Sequence, residues 1–221
     1  MVQAQSLSSR LMSISGKYLG RPYVCNPLIG SPEIPEVFVV NENGFDCVTY
    51  IETVIARAES GESAKFPEQL RRIRYRDGKL AWNQRNHYMT GWIRNNVRKG
   101  LVRRVNFNVQ ESSKMRTLNV VPGLLPVRQK FSCIPKRSIS RIACEIESGD
   151  LIFFASTRPH LDIFHCGILI RDGQRLLLRH ASRSQGRVVE QDLASFLNAN
   201  RMAGVIVVRP VDPAAPSARI H

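Results

Sequence analysis

No stretch of this chain approaches the ~20 consecutive apolar residues that a membrane-crossing helix needs, so a helical membrane anchor is not expected. The N-terminus, MVQAQSLSSRLMSISGKYLG, has no continuous apolar core of the kind a secretory signal carries. With 12 Pro and 14 Gly in 221 residues, a collagen-like or linker-dominated chain is excluded. Cysteine is limited to positions 25, 47, 133, 144 and 166; the odd count without tight pairing argues against a small disulfide framework. There is no Cys-x-x-Cys, no His-Glu-x-x-His and no paired Cys/His spacing, so no zinc site, metal or organic cofactor is expected. Acidic residues are scarce. Eighteen Asp and Glu stand against 32 Lys and Arg, a formal net charge of +14. Such a surface favours a polyanionic partner, whether nucleic acid, an anionic membrane or a bacterial wall polymer; otherwise it belongs to an ordinary basic enzyme.

What is present is ordinary for a globular protein: 43% hydrophobic and 23% charged residues, enough for one substantial core. There is no internal repeat. Leu7, Leu11, Ile14 and Leu19 fall at helical spacing and predict an amphipathic helix ending near Gly20. Residues 26–36 are irregular, and Val37 to Val40 read as a short strand. After the Asn43-Gly44 turn, Val48, Ile51, Val54, Ile55 and Ala58 predict a helix that stops at Gly61. Further helices are expected over 67–75 and over 88–97, the second with Trp92, Ile93 and Val97 inward. Residues 102–109 alternate weakly, and 122–140 read as a long surface connection. From Asp150 onward, apolar runs at 151–155, 164–170, 175–181 and 205–209 predict strands, with a short helix at 192–198. Helices first and antiparallel strands afterwards indicate a single α+β domain over 1–221.

Two features carry chemistry. Cys47 opens the helix that follows Gly44-Phe45-Asp46, where free backbone N–H groups and the helix dipole favour a thiolate. The alternative is a buried structural cysteine. His165 and His180 each interrupt an apolar strand. With Asp172-Gly173 as a two-residue hairpin loop, His165 faces His180, Gly167 faces Leu178 and Leu169 faces Leu176. Two imidazoles then share one face, expected to be the face that meets the start of the Cys47 helix. A nucleophile, a base and a group that orients the base is the pattern of covalent acyl transfer.

These residues carry a resemblance. Tyr18-Leu19-Gly20-Arg21-Pro22-Tyr23, Phe45-Asp46-Cys47, His165-Cys166-Gly167-Ile168 and His180-Ala181-Ser182 resemble the NlpC-type superfamily of papain-like cell-wall peptidases. Asp46-Cys47-Val48-Thr49-Tyr50-Ile51-Glu52, residues 73–78, His87-Tyr88, Trp92-Ile93, Ile134-Pro135-Lys136 and Leu161-Asp162 are similar to the AmiA-like N-acetylmuramoyl-L-alanine amidases within it. The likeness spans about residues 14–210. It implies a papain-like α+β fold, with a Cys-bearing helix packed on a C-terminal antiparallel sheet. It also implies a cysteine hydrolase of peptidoglycan or muropeptides, with Cys47 as nucleophile, His165 as base and His180 as the orienting third member. The chain departs from the family at Val48, where a small or hydroxyl residue is common, and at Cys166, where valine is common.

The remaining candidates each have two readings. Tyr23 touches substrate or is a packing residue. Asp46 either binds a substrate amine or caps the helix. Asn83, Arg85, His87, Tyr88 and Trp92 line a sugar-binding cleft or form a solvated loop. Asp162, within its motif, joins the substrate-binding set. Relatives that act on the wall must be exported, so action in the periplasm or extracellular wall is expected. The export route is then open, and secretion as an antibacterial toxin would add an immunity-protein partner. Rival functions are a γ-D-glutamyl-diaminopimelate stem endopeptidase, an acyltransferase and a basic nucleic-acid-binding module. The last lacks any zinc finger, RNA motif or helix-turn-helix.

Overall fold

The structure is a computed structural model in which residues 5–61 and 63–212 are described. The first four residues of the N-terminal stretch lie outside that range. Among the described residues no helix is long and apolar enough to cross a membrane.

The N-terminal half is helical: α1 (Leu7–Lys17), α2 (Cys47–Ser60), α3 (Phe66–Arg74) and α4 (Met89–Arg98). The start of α2 is fixed by Asp46. Its carboxylate accepts from the Val48 N–H at 3.1 Å and the Thr49 N–H at 2.7 Å. Thr49 Oγ1 in turn accepts from the Asp46 N–H at 3.0 Å, which completes a capping box. Gly61, at φ +60°, closes the other end. Between these stops Ile51, Val54, Ile55 and Ala58 are fully buried, as their spacing predicts. Pro67 sits in the first turn of α3, where its missing N–H costs nothing.

The main sheet is antiparallel, in the order β1-β8-β4-β5-β6-β7. Its strands are β1 (Val102–Arg104), β4 (Leu151–Ala155), β5 (Ile163–Asp172), β6 (Arg175–Ser182), β7 (Arg187–Asp192) and β8 (Gly204–Pro210). Leu11 of α1 and Ile51, Val54 and Ile55 of α2 cover one face, against Phe153, Cys166, Ile168 and Ala181. Arg179 ties α1 down, donating to the Met12 carbonyl at 2.7 Å and Ser15 Oγ at 3.0 Å. The other face carries α5 (Ile139–Ile142) and α6 (Leu193–Ala199), whose Ile142, Phe196 and Leu197 pack on Ile152, Phe154, Leu169 and Leu178. This is the expected α+β arrangement of a Cys-bearing helix on an antiparallel sheet.

Several expectations are corrected. Residues 112–133 form a separate hairpin, β2 (Ser112–Leu118) with β3 (Val127–Cys133), paired from Ser112↔Cys133 to Leu118↔Val127. SSKMRTL and VRQKFSC are polar and basic, so the apolar alternation that announces a strand is missing. Residues 37–40 make only an isolated bridge, Ile29↔Val37. Leu19 and Val97, expected inward, are exposed.

The β5–β6 register also differs. Asp172 pairs with Arg175, and the loop residues are Gly173 and Gln174. Gly173 takes φ +59°, which suits glycine at the first position of a tight hairpin. Leu169 therefore faces Leu178, and His180 lies diagonal to His165 instead of opposite. A shift of two residues preserves the face, because side chains alternate with period two. The shared-face expectation survives the wrong register for that reason.

Candidate active site

Cys47 is the first residue of α2, half-buried, with the cap at its back. Its carbonyl accepts from the Cys166 thiol at 3.3 Å. The Cys166 thiol and the His165 imidazole are the neighbours that act on its thiol. Cys166 is the largest influence holding Cys47 well below the usual thiol range; His165 adds to it, and burial opposes both. Cys166 moves the other way, pushed well up by burial first and by Cys47 second.

His165 Nε2 lies 2.7 Å from His180 Nδ1, with the rings nearly perpendicular at 84°. This leaves His165 Nδ1 as the ring nitrogen available to the thiol. Phe196 packs against both rings at 5.5 Å. His180 is buried, and burial, followed by the charge of His165, pushes its pKa down to about 3. It is therefore a neutral partner. When His165 is an imidazolium its Nε2–H donates to His180 Nδ1, which requires the His180 proton on Nε2.

The faces need a correction. His165 pairs with Phe154 and both imidazoles contact Phe196, so they lie on the α6 side. The body of α2 covers the opposite side. Cys47 reaches β5 beside the point where the β5–β6 ladder stops. The β5–β6 ladder runs from Asp172↔Arg175 only as far as Ile168↔Arg179. Beyond it, β5 continues beside β4 and β6 continues beside β7. A β-bulge at Phe164 adds a local twist to β5 at this end. The start of α2 meets this end of β5 through the Cys166 thiol and the Cys47 carbonyl, one residue from His165.

Tyr23 is half-buried and bridges to Phe45. Its hydroxyl pKa is raised by burial, then by Cys47 and Asp46, which puts it in the electrostatic field of the thiol. Asp46 is the helix cap described above. Burial and then Cys47 raise its pKa to about 6. Replacing Asp46 by Ala should cost about 1 kcal/mol of stability through the lost cap, and Asp46→Asn should cost little, since Asn caps equally well. Urea unfolding of the two variants checks this, and equal losses would refute it.

His87 and Tyr88 lie apart from the imidazole pair. They line a cavity of about 450 Å³ with Arg76, Asn83, Arg85 and Gln129. Burial pushes the His87 pKa down to about 4, and its Nε2 lies 2.8 Å from the Trp82 carbonyl. The overlooked β2–β3 hairpin supplies the opposite wall through Leu118 and Val127. The expectation for Trp92 is corrected. It is 0% exposed, packed on Phe153, and its Nε1–H donates to Glu52 at 3.1 Å, so it cannot stack on a substrate. Asp162 is corrected likewise. It is 1% exposed and accepts from the Thr90 N–H and hydroxyl, both at 2.7 Å. It ties the start of α4 to the start of β5, three residues before His165.

Residues 13–205 match the AmiA-like family, described as N-acetylmuramoyl-L-alanine amidase-like. The chain belongs to this family. An N-acetylmuramoyl-L-alanine amidase from Bacteroides uniformis ATCC 8492 is 28% identical, with a TM-score of 0.82 over 93% of this chain and 99% of that one. A second structure of an N-acetylmuramoyl-L-alanine amidase from that organism is 28% identical at a TM-score of 0.79, covering 90% and 98%. A Legionella pneumophila str. Philadelphia 1 protein, 21% identical, shares the fold at a TM-score of 0.80 over 94% and 90%. Comparison with curated proteins returns no match.

In this AmiA-like chain several contributors to the site carry little signal in the sequence. Cys166 stands out in the sequence as a departure from the family pattern, and its thiol contacts the Cys47 carbonyl. Phe196, an ordinary apolar helix residue by pattern, clamps both imidazoles. Ser182, Arg183, Ser184 and Asn200 join the histidines around an open cleft of about 520 Å³. Ser182, directly after the His180-Ala181 pair, was the one signal available for that cleft.

Proposed function

We propose that this AmiA-like chain is a cysteine hydrolase that cleaves the amide between N-acetylmuramic acid and L-alanine in peptidoglycan or muropeptides. The observation that carries the reading is the Cys47–His165–His180 relay at the capped start of α2. Cys47 transfers its proton to His165 Nδ1, and the thiolate attacks the lactyl carbonyl. The Asp46 cap occupies the Val48 and Thr49 N–H groups. The Cys47 N–H, first in the helix, remains to receive the oxyanion. The carbon–nitrogen bond breaks as His165 gives its proton to the leaving L-alanine amine. Water, with His165 as base, then splits the thioester and restores the thiol. Neutral His180 holds the imidazole in one orientation throughout.

The choice of bond rests on family membership, on the names of the relatives, and on Asp46. A stem endopeptidase needs a carboxylate to bind an α-amine, and Asp46 uses its Oδ1 to accept three hydrogen bonds from its own helix cap. The cavity at His87 and Tyr88 supports a role in holding the glycan or the stem peptide. The substrate puts the site of action in the periplasm or extracellular wall, and the net charge of +14 suits retention on anionic wall polymer. Digestion of purified wall, read by mass spectrometry, should release intact stem peptides that begin with L-alanine. Products that leave L-Ala-D-Glu on the muramic acid would replace this reading with the stem endopeptidase.

A further inference from the structure

Cys166 has no covalent task in the hydrolytic cycle, yet its thiol is in direct contact with the residue that carries the nucleophile. It donates to the Cys47 carbonyl at 3.3 Å. The two differ in access. Cys47 is half-buried and Cys166 is 1% exposed. A solvent-borne oxidant therefore reaches Cys47 first, and Cys47 is the sulfur held toward thiolate.

We propose that Cys47 and Cys166 form a reversible oxidative modification site, in which a peroxide oxidises Cys47 and Cys166 closes it into a disulfide that switches the enzyme off. In the first step the Cys47 thiolate attacks one peroxide oxygen. The O–O bond breaks, Cys47 becomes a sulfenic acid, and hydroxide leaves to be protonated to water. In the second step the Cys166 sulfur, losing its proton, attacks the Cys47 sulfur. The S–O bond breaks and a second water leaves. Two thiols and one hydrogen peroxide thus give one disulfide and two waters, with two electrons passing from sulfur to peroxide.

The fold permits the closure. Cys166 is paired on one side only, with Phe153 of β4, and lies beyond the end of the β5–β6 ladder, which is registered only as far as Ile168↔Arg179. A side-chain shift there, from contact with the Cys47 carbonyl to the ~2.05 Å sulfur–sulfur bond of a disulfide, leaves the β5–β6 pairs intact. Closure also protects the enzyme, because a sulfenic acid captured by a neighbouring thiol is not carried on to irreversible sulfinic and sulfonic acids. The loss of activity rests on Cys47 being the nucleophile proposed above. Bond formation itself does not.

The test uses the full chain carrying Cys25→Ser and Cys144→Ser, both at exposed positions. The tryptic fragments spanning 18–57 and 142–171 then hold one cysteine each, Cys47 and Cys166. The protein is treated with hydrogen peroxide, free thiols are alkylated, and unreduced digests are weighed. The linked fragment pair should accumulate as wall hydrolysis falls, and dithiothreitol should reverse both. A Cys166→Val variant, compared with its own untreated rate, should be inactivated by peroxide without recovery in dithiothreitol. Sulfinic Cys47 without the linked pair in the parent, or full recovery of Cys166→Val, would overturn the proposal. If the pair links in a protein that never hydrolyses wall, the disulfide stands and the hydrolase reading falls. If wall is hydrolysed in a Cys47-dependent way and the pair never links, the reverse holds.

Discussion

Replacing Cys47 with alanine should abolish wall hydrolysis, a loss on the order of 10⁴-fold or more, as removal of a covalent nucleophile gives elsewhere. The fold should survive. Alanine is a good helix former, and the α2 cap is made by Asp46 and Thr49, not by the Cys47 side chain. Cys25→Ala and Cys144→Ala remove exposed thiols and should keep activity. Cys133→Ala should remain active too, since its Sγ donates only to the Ser112 and Ala203 carbonyls, both at 3.7 Å. Iodoacetamide at neutral pH should label Cys47 selectively and remove activity, and EDTA should leave the rate unchanged. Product release by Cys47→Ala at the parent rate, or loss with EDTA that zinc restores, would end the cysteine mechanism.

How much of this was legible in the sequence depends on how local each signal is. The start of α2 was readable because a cap, a turn and an apolar period all fall within a few residues. Asp46 as a cap needed nothing from the rest of the fold. The pairing of His165 with His180 was readable for a weaker reason: face depends on parity alone, so placing the loop one residue early did no harm. What parity could not supply was the side of the sheet. That depends on which helix covers which face, and on where β5 and β6 part. The β2–β3 hairpin escaped because its strands carry lysine, arginine and serine where a half-buried strand shows alternating apolar residues. It packs as a wall beside α4, so its sequence lacks the pattern of a core strand.

Trp92 and Asp162 failed for a common reason. Their chemistry suits a substrate, but polar side chains also serve the core when their partners are distant in sequence. Glu52 is one such partner. It is 1% exposed, on the second turn of nothing more telling than an apolar helix, and no spacing rule links it to Arg74 or Trp92.

That buried group carries the second large expected effect. Arg74, 2% exposed, donates Nε–H to Glu52 at 2.7 Å and another N–H to the Val39 carbonyl at 2.7 Å. Trp92 Nε1–H supplies the other Glu52 oxygen at 3.1 Å. The three residues join α2, α3 and α4, and α2 carries Cys47. Removing one partner strands a charge out of water, which costs about 3–5 kcal/mol. Glu52→Ala and Arg74→Ala should therefore each lower stability by that amount in urea unfolding, a large fraction of the ~5–15 kcal/mol that holds a typical domain together. The double variant should lose less than the sum, because neither charge is then left alone. Trp92→Phe keeps most of the buried area and gives up one hydrogen bond to a charged group, about 1.5–3 kcal/mol. Its KM for wall fragments should stay at the parent value at temperatures where it is folded. A KM raised tenfold in folded Trp92→Phe would return that residue to the substrate site, and additive losses in the double variant would dissolve the network.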